Sequence, residues 1–183
     1  MIRLTTIKIF AVLLIALTGC QKFKPSEVTI PEYPDYSALM VEQVEFLRNS
    51  GARKEVWLDG KSEVRVLNMD STTWSEELAF LKEVNPNQPE YVGAFEKSGD
   101  EFSQTLTLVA GENGALKRTT FSKSDIGYQK INATFHEDKD VYIHHREIEL
   151  NFQNGLLRSL QIDGYQKMMF KDTVRFRIQI SVN

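Results

Sequence analysis

The chain is poor in the residues that cross-link small domains or hold metal ions. It has one cysteine, Cys20, and three histidines among 183 residues. A single cysteine excludes an internal disulfide and a cysteine-rich metal site. The folded part must therefore be stabilised by its hydrophobic core.

The chain also lacks a clear membrane-spanning stretch near its start. The apolar run over 9–17 is far shorter than the ~20 residues of a transmembrane helix. Arg3 and Lys8 precede this run, and the small residues Thr18 and Gly19 follow it. A basic start, a short apolar core and a small-residue exit predict a secretory signal peptide over 1–19.

The tetrapeptide Leu17-Thr18-Gly19-Cys20 resembles the lipobox of bacterial lipoproteins. The resemblance implies cleavage between Gly19 and Cys20, a diacylglyceryl group on the Cys20 thiol and acylation of the new amino terminus. One acyl chain holds a protein marginally on a membrane, whereas two or more hold it stably. We therefore expect the membrane to be a partner through lipid on Cys20.

A second resemblance rests on one longer string and three short ones. These are Val56-Trp57-Leu58-Asp59-Gly60-Lys61-Ser62-Glu63, Asp70-Ser71, Trp74 and Glu77-Leu78. They are similar to uncharacterised lipoproteins of Bacteroidetes-type bacteria. Such bacteria O-glycosylate exported proteins at Asp-Ser or Asp-Thr followed by a small or aliphatic residue, which implies Ser71 and Thr173 as candidate sites.

The residues after the cysteine bear on localisation. Surface-exposed lipoproteins of these bacteria often carry acidic residues there, and Gln21-Lys22-Phe23-Lys24 has none. Gln21 also replaces the aspartate that retains lipoproteins of enteric bacteria in the inner membrane. We therefore expect a lipid anchor in the outer membrane with the domain facing the periplasm, and the cell surface as the alternative.

The charge balance excludes some partners. Removing 1–19 takes Arg3 and Lys8 from 22 basic residues, so 20 basic and 25 acidic residues remain, a net charge of about −5. This balance argues against a nucleic-acid partner and against a second, electrostatic attachment to anionic lipid. The remaining length is enough for one domain with a proper core.

Proline and helical periodicity divide the first half of the chain. Three prolines within ten residues predict that 20–35 is the lipidated cysteine and an extended tether. An apolar stripe predicts a helix over 36–50, capped by Asp35 or Ser37 and ended by Gly51. A capping box, Thr73-Trp74-Ser75-Glu76, predicts a second helix over about 74–84.

Beyond residue 91 the apolar period changes to two. Alternation over 102–108 predicts one strand, and further strands are predicted over 116–121, 126–136, 141–152, 156–162, 165–170 and 174–182, with short turns between them. With a hairpin over 54–67, the sequence predicts one α+β domain over 36–183. Its expected form is an antiparallel meander sheet of seven to eight strands, with two N-terminal helices packed on one face.

Two details of register follow from the apolar pattern. A three-residue loop, Gln153-Asn154-Gly155, would pair Phe152 with Leu156 and Ile148 with Leu160. The apolar parity also switches along 141–152, which predicts a β-bulge over 145–147.

The histidines suggest neither a metal site nor an active site. A hairpin with 137–140 as its loop would set His136 opposite Val141 and His144 opposite Ala133, leaving the two histidines ~10 Å apart. His145 near Glu147 or Glu149 resembles an acid–base pair, but no nucleophile motif accompanies it. We expect no enzyme, no catalytic residue, no metal and no cofactor.

A basic group on the last two strands is the candidate partner face. It consists of Lys167, Lys171, Arg175 and Arg177. The expected function is a non-catalytic binding or interaction module of the cell envelope, with an envelope protein as partner. The alternative is a carrier of a lipid or another small apolar ligand in a half-open sheet cavity. A carrier needs an open apolar cavity, whereas a module needs its helices packed tightly on the sheet.

Overall fold

A computed structural model describes residues 33–183, which form a packed unit with its own hydrophobic core. Cys20, the lipobox and most of the tether lie outside the described residues. The helices are α1 (Tyr36–Leu47), α2 (Ser71–Glu77), α3 (Phe80–Glu83) and a 3₁₀ turn (Pro89–Tyr91). The strands are β1 (Gly51–Leu58), β2 (Lys61–Asn68), β3 (Phe95–Gly99), β4 (Ser103–Leu108), β5 (Leu116–Ser124), β6 (Gly127–Lys139), β7 (Tyr142–Gln153), β8 (Leu156–Met168) and β9 (Val174–Val182).

The strands form a single antiparallel sheet in the order β2-β1-β9-β8-β7-β6-β5-β4-β3. Strands β3 to β9 follow one another as a meander, and the β1–β2 hairpin joins it because β1 pairs with β9. The sheet-dominated α+β fold is confirmed. The predicted count of seven to eight strands is wrong, since the sheet has nine. Strand β3, at one edge, had no separate signal in the sequence.

The helical segment between β2 and β3 crosses one face of the sheet. These two strands lie at opposite edges, so the chain that joins them must pass over all the others. Trp74, Leu78 and Leu81 of this segment are fully buried. We call the face that the helices cover the inner face, and the opposite one the outer face.

Of the two predicted N-terminal helices, the first is present and the second is not. Helix α1 begins as expected, because the Asp35 carboxylate accepts hydrogen bonds from the backbone N–H groups of Ser37 and Ala38. Two short helices, α2 and α3, stand in place of the second one. Asp70, and not Thr73, caps α2 by accepting from the Thr73 N–H at 2.8 Å.

The core lies between the helices and the inner face. It is built from alternate residues of the strands, as the period of two requires. Fully buried members on the central strands are Ile131, Leu150, Leu157, Leu160 and Ile180.

Helix α1 is joined to the β7–β8 turn by a buried polar side chain. Gln43 is 1% exposed. Its side-chain amide donates to the Gly155 carbonyl at 2.9 Å, and its amide oxygen accepts from the Leu157 N–H at 2.8 Å. The apolar stripe that predicts this helix is interrupted only at Gln43, and the structure shows that this polar residue is needed for the contact with the turn.

The predicted register of the β7–β8 hairpin is wrong. The loop has two residues, Asn154 and Gly155, both with positive φ (54° and 76°) as a type I′ turn requires. Gln153 pairs with Leu156, and Phe152 pairs with Leu157. Arg158 is an extra residue in β8, so Leu150 pairs with Leu160 and Ile148 with Ile162.

The β-bulge predicted over 145–147 is also wrong. The pairing of β7 with both neighbours runs without a shift through these residues. The apolar pattern suggested a change of face that does not occur. Ile143 is apolar but lies on the outer face, and Arg146 is charged but is buried on the inner face. Arg146 donates to the Glu83 carboxylate at 2.6 Å and lies over the Phe135 ring.

Strand β8 does not turn at Asp163-Gly164, as the split into 156–162 and 165–170 had predicted. Gly164 pairs with Arg146 on one side and with Phe176 on the other. A Cβ at Gly164 would lie 2.5 Å from the Phe176 ring and 2.5 Å from the His145 carbonyl oxygen. The glycine makes room for a neighbouring ring inside a continuous strand.

Candidate binding groove on the outer sheet face

The outer face carries polar side chains across most of its width, and no helix of the described part covers it. One row of paired residues crosses six strands. Its members are Glu55, Gln179, Gln161, Glu149, Asn132 and Thr120. Such a row is typical of a sheet face that meets water or a polar partner.

An open groove of about 780 Å³ lies on this face, near the β1–β2 turn. We call it the outer groove. Its aromatic lining consists of Trp57, His145 and Tyr165 of the outer face, together with Phe176. Its charged side chains are Asp59, Glu147, Asp163, Arg175 and Arg177. Half-buried rings beside charged groups suit a site that fixes both shape and polarity.

One row of the groove is a ladder of stacked side chains. Arg175 lies over the Tyr165 ring with its guanidinium carbon 6.0 Å from the ring centroid. Tyr165 stacks on His145 with centroids 5.2 Å apart and planes 28° apart. His145 in turn contacts His136 at 5.6 Å. The ladder joins four neighbouring strands through cross-strand pairs.

The next row is held by ionic contacts. Arg177 lies 5.7 Å from the Trp57 ring, and its Nε donates to the Asp163 carboxylate at 2.5 Å. The other Asp163 oxygen accepts from Gln161 at 2.6 Å. These contacts hold the Arg177 side chain between Asp163 and the Trp57 ring.

Arg175 differs from Arg177 in its partners. Its backbone N–H donates to the Asp59 carboxylate at 2.8 Å. Within residues 33–183, no carboxylate lies within ion-pair distance of its guanidinium. This exposed guanidinium therefore offers its donors to an incoming group.

The structure divides the predicted basic face. Arg175 and Arg177 line the outer groove together. Lys167 lies on the same face of β8, but it lines a separate depression at the β6–β7 turn. Lys171 lies in the β8–β9 turn and lines a third depression. The four residues do not form one patch around a common pocket.

The predicted placement of the histidines is wrong. Strand β6 continues to Lys139, so the turn is shorter than 137–140. His136 therefore pairs with His145, and His144 pairs with Glu137. Within the described residues, no three histidine, cysteine, aspartate or glutamate side chains come together in a way that could hold a metal ion.

His145 and Glu147 make the contact that the sequence suggested, with His145 Nε2 3.2 Å from a Glu147 oxygen. The other Glu147 oxygen accepts from the Thr134 hydroxyl at 2.9 Å. Glu149 does not take part in this contact. It accepts hydrogen bonds from Lys130 and Asn151 instead, and these bonds lower the pKa of its carboxyl. The pair is part of the groove wall.

The two candidate glycosylation residues are exposed. Ser71 is the first residue of α2, and Thr173 lies in the β8–β9 turn. Cys20 and Gly19 lie outside the described residues.

Sequence reasoning missed Trp57 and Tyr165 as members of the outer groove, and it missed that His136 continues the ladder beyond it. Trp57, Arg177 and Asp163 share a face through successive pairings, as do Arg175, Tyr165 and His145. The alternation of β9 was enough to predict that Arg175 and Arg177 point outward. Placing the other groove residues beside them required the register of β6 with β7 and the continuity of β8.

No protein-family model, curated protein or solved structure matches this chain. None of the helices in 33–183 has the length and apolar character needed to cross a membrane. The functional proposal therefore depends on the groove and on the sequence.

Proposed function

We propose that the protein is a lipid-anchored, non-catalytic binding module of the cell envelope. Its anchor is lipid on Cys20 in the outer membrane, and its domain faces the periplasm. Its outer groove contacts an envelope protein through Trp57, Tyr165, Arg175 and Arg177. The proposed partner face therefore consists of two arginines and two aromatic rings instead of the four basic residues predicted from the sequence.

The observation that carries the proposal is the composition and preorganisation of the groove. Tryptophan, tyrosine and arginine dominate the binding energy of protein interfaces. Here two arginines each lie over a ring, and Arg177 is fixed by Asp163. Side chains that are already ordered lose less entropy on binding.

The packing of the helices favours a module over a carrier. Tyr36, Trp74 and Leu78 have no exposed surface, and they fill the space between the helices and the sheet. The inner-face depression beside α2 is open, has a volume of about 410 Å³ and includes Glu76, Glu77 and Arg146 among its lining. Charged groups at an open depression do not suit an apolar cargo.

Site-specific photocrosslinking in intact cells tests the groove. A photoreactive phenylalanine replaces Tyr165 in one strain and exposed Phe102, at the β3–β4 end of the sheet, in another. We expect one discrete protein adduct from position 165 and none from position 102.

The adduct should also depend on the charge of the groove. The double substitution R175E and R177E should reduce it at least several-fold, because both cations are reversed. Equal adducts from the two positions, or an adduct that survives the charge reversal, would exclude the outer groove as the partner surface.

Native mass spectrometry of the chain from Gln21 onward, purified without detergent, tests the alternative. We expect the mass of the protein alone. A stoichiometric adduct of lipid mass would instead identify a carrier.

A further inference from the structure

The β8–β9 turn carries a cluster of exposed apolar side chains. Its residues Met168, Met169 and Phe170 are 45%, 50% and 98% exposed. Val141 of the β6–β7 turn adjoins them, since its carbonyl accepts from the Met169 N–H at 2.9 Å. Val174 lines the same depression as Met168 and Phe170. We call these five residues the tip.

Phe170 is held in a conformation that keeps its ring in solvent. It has φ +60°, which is a genuine outlier for a bulky side chain. Strained residues persist only where the surrounding structure holds them, and they cluster at functional positions. The turn is closed by the Lys171 N–H donating to the Met168 carbonyl. The ring therefore projects outward, where water alone gives it no favourable contact.

The form of the tip suits a lipid surface better than a second copy of the chain. At ~150–250 Å² for a large exposed ring and less for each partly exposed neighbour, the tip offers roughly 500 Å². A stable dimer buries about 800 Å² per partner. An exposed ring such as Phe170 can enter the interface of a bilayer without a matching pocket, and aromatic side chains are enriched there.

The charges around the tip permit this contact without depending on anionic lipid. Lys139, Lys167 and Lys171 can extend their amines to head groups while their stems cover apolar surface. Glu137 lies 3.6 Å from the Lys139 amine, and Asp138, Asp140 and Asp172 lie beside the lysines in the sequence, so the acidic charges at least equal the basic ones. Apolar insertion must therefore supply most of the attraction.

The length of the tether places a bilayer within reach. Cys20 and Tyr33 are 13 Cα–Cα steps apart, a length of chain that spans at most ~45 Å. A domain of this size is ~40 Å across, from its expected radius of gyration. A short tether gives a high effective concentration, so a weak contact suffices.

We propose that the tip docks on the bilayer that holds the lipid anchor, with Phe170 inserted in the head-group region. This inference rests on the anchor of the proposed function, and it fixes which end of the sheet faces the membrane. It also excludes an O-glycan on Thr173, since a sugar three residues from Phe170 would hold the tip away from lipid.

The test uses the full chain purified with its lipid, with F170C as the probe position. The matched control is I126C, because Ile126 is an exposed apolar residue (64%) in the turn at the opposite end of the sheet. Each cysteine carries a bimane fluorophore, and the protein is reconstituted in phosphatidylethanolamine–phosphatidylglycerol vesicles with or without doxyl-labelled lipid.

We expect doxyl lipid to quench position 170 by about half and to leave position 126 unchanged, because only the tip enters the interface. Phosphatidylcholine vesicles should give the same result, since the charges of the tip are balanced. The following outcomes overturn the proposal: no quenching at position 170, equal quenching at both positions, or shielding of position 170 that grows with protein concentration without doxyl quenching. A glycan mass on Thr173 also overturns it.

The intact mass separates this proposal from the anchor. A thioether-linked lipid blocks Cys20, so one fluorophore per chain reports the anchor and two report its absence. If the anchor is absent, vesicles at millimolar lipid are added to F170C and I126C in a Cys20→Ser background, so that excess lipid replaces the high effective concentration that a tether would give. Quenching at position 170 then still supports the tip, and its absence still overturns it.

Discussion

Gln43 is more completely buried than several of the apolar residues in its own helix stripe. Phe46, in the same stripe, is 57% exposed. The amide of Gln43 fits its place because one side chain satisfies both a carbonyl and an N–H of the β7–β8 turn. An apolar residue of equal size would leave both groups without partners.

We expect Gln43→Ala to lower the free energy of unfolding by about 2–3 kcal/mol, because it removes two hydrogen bonds and leaves the buried Leu157 N–H unsatisfied. Urea denaturation measures the change. Glu42→Ala, at the exposed neighbouring position, is the control and should cost less than about 0.5 kcal/mol. Equal losses in the two variants would mean that Gln43 contributes only helix propensity.

His144 makes stability depend on pH near neutrality. Burial, and then the charge of Arg146, lower its pKa below the ordinary value of 6.5. The unfolded chain therefore binds the proton at a higher pH than the folded chain. The free energy of unfolding is therefore highest above pH 6.5, where His144 is neutral in both the folded and the unfolded chain. It falls as the pH falls from 6.5 toward the lowered pKa, because the unfolded chain then binds the proton first.

Thermal unfolding between pH 7.5 and 5.5 tests this assignment. The natural chain should lose stability as the pH falls, and His144→Gln should lose less, because glutamine has no proton to bind in this range. Parallel curves for the two proteins would show that another group titrates.

At the scale of elements, the β7–β8 turn sets the register of the longest strands. Asn154 and Gly155 both need positive φ, and Gly155 also packs against the β5–β6 turn. A Cβ at Gly155 would lie 2.7 Å from the Ile126 carbonyl oxygen. The turn is therefore constrained by its conformation and by its surroundings.

We expect Gly155→Ala to destabilise the fold by about 2–4 kcal/mol, from the positive φ and the clash together. Gly60→Ala is the matched control, because Gly60 has φ +83° and nothing within 4 Å of a Cβ. It should cost only the conformational part, about 1–2 kcal/mol. Denaturant midpoints give both values, and equal costs would show that the turns do not press on each other.

The sequence predicted strands where one face was clean and failed where the faces were mixed. Strand β9 alternates strictly and was placed correctly. In β7, the apolar Ile143 faces outward and the charged Arg146 faces inward. This reversal of the usual pattern led to a bulge being predicted in β7, whereas the structure has it in β8. The true bulge, at Arg158, is marked by Leu157 and Leu160, which both face the core three residues apart.

The same limit explains the groove. Its members come from β1, β7, β8 and β9, and each pairing depends on a register that the sequence did not fix. An error of one bulge moves a residue to the other face. Arg175 and Arg177 were predicted because they share one strand, whereas Trp57 and Tyr165 depend on pairing across several strands.

At the scale of the whole molecule, the proposed anchor would determine where the groove can act. The chain from Gln21 onward, exported behind an ordinary cleavable signal, should appear in the soluble periplasmic fraction, because it lacks the lipid on Cys20. The natural chain should stay with the outer membrane. Fractionation followed by immunoblotting compares them. Retention of the lipid-free form would show that a contact other than lipid is sufficient to hold the protein.

The place of β9 in the sheet has a consequence for the order of folding. The last strand lies between β1 and β8, and the Asn183 N–H donates to the Gly51 carbonyl, 132 residues away in the chain. Until the final residues arrive, the β1–β2 hairpin has no strand beside it, and an isolated hairpin is marginal in water. Such long-range pairing folds slowly. The sheet can therefore be completed only once β9 is present, so export as the proposed lipoprotein would meet a chain that has not finished folding.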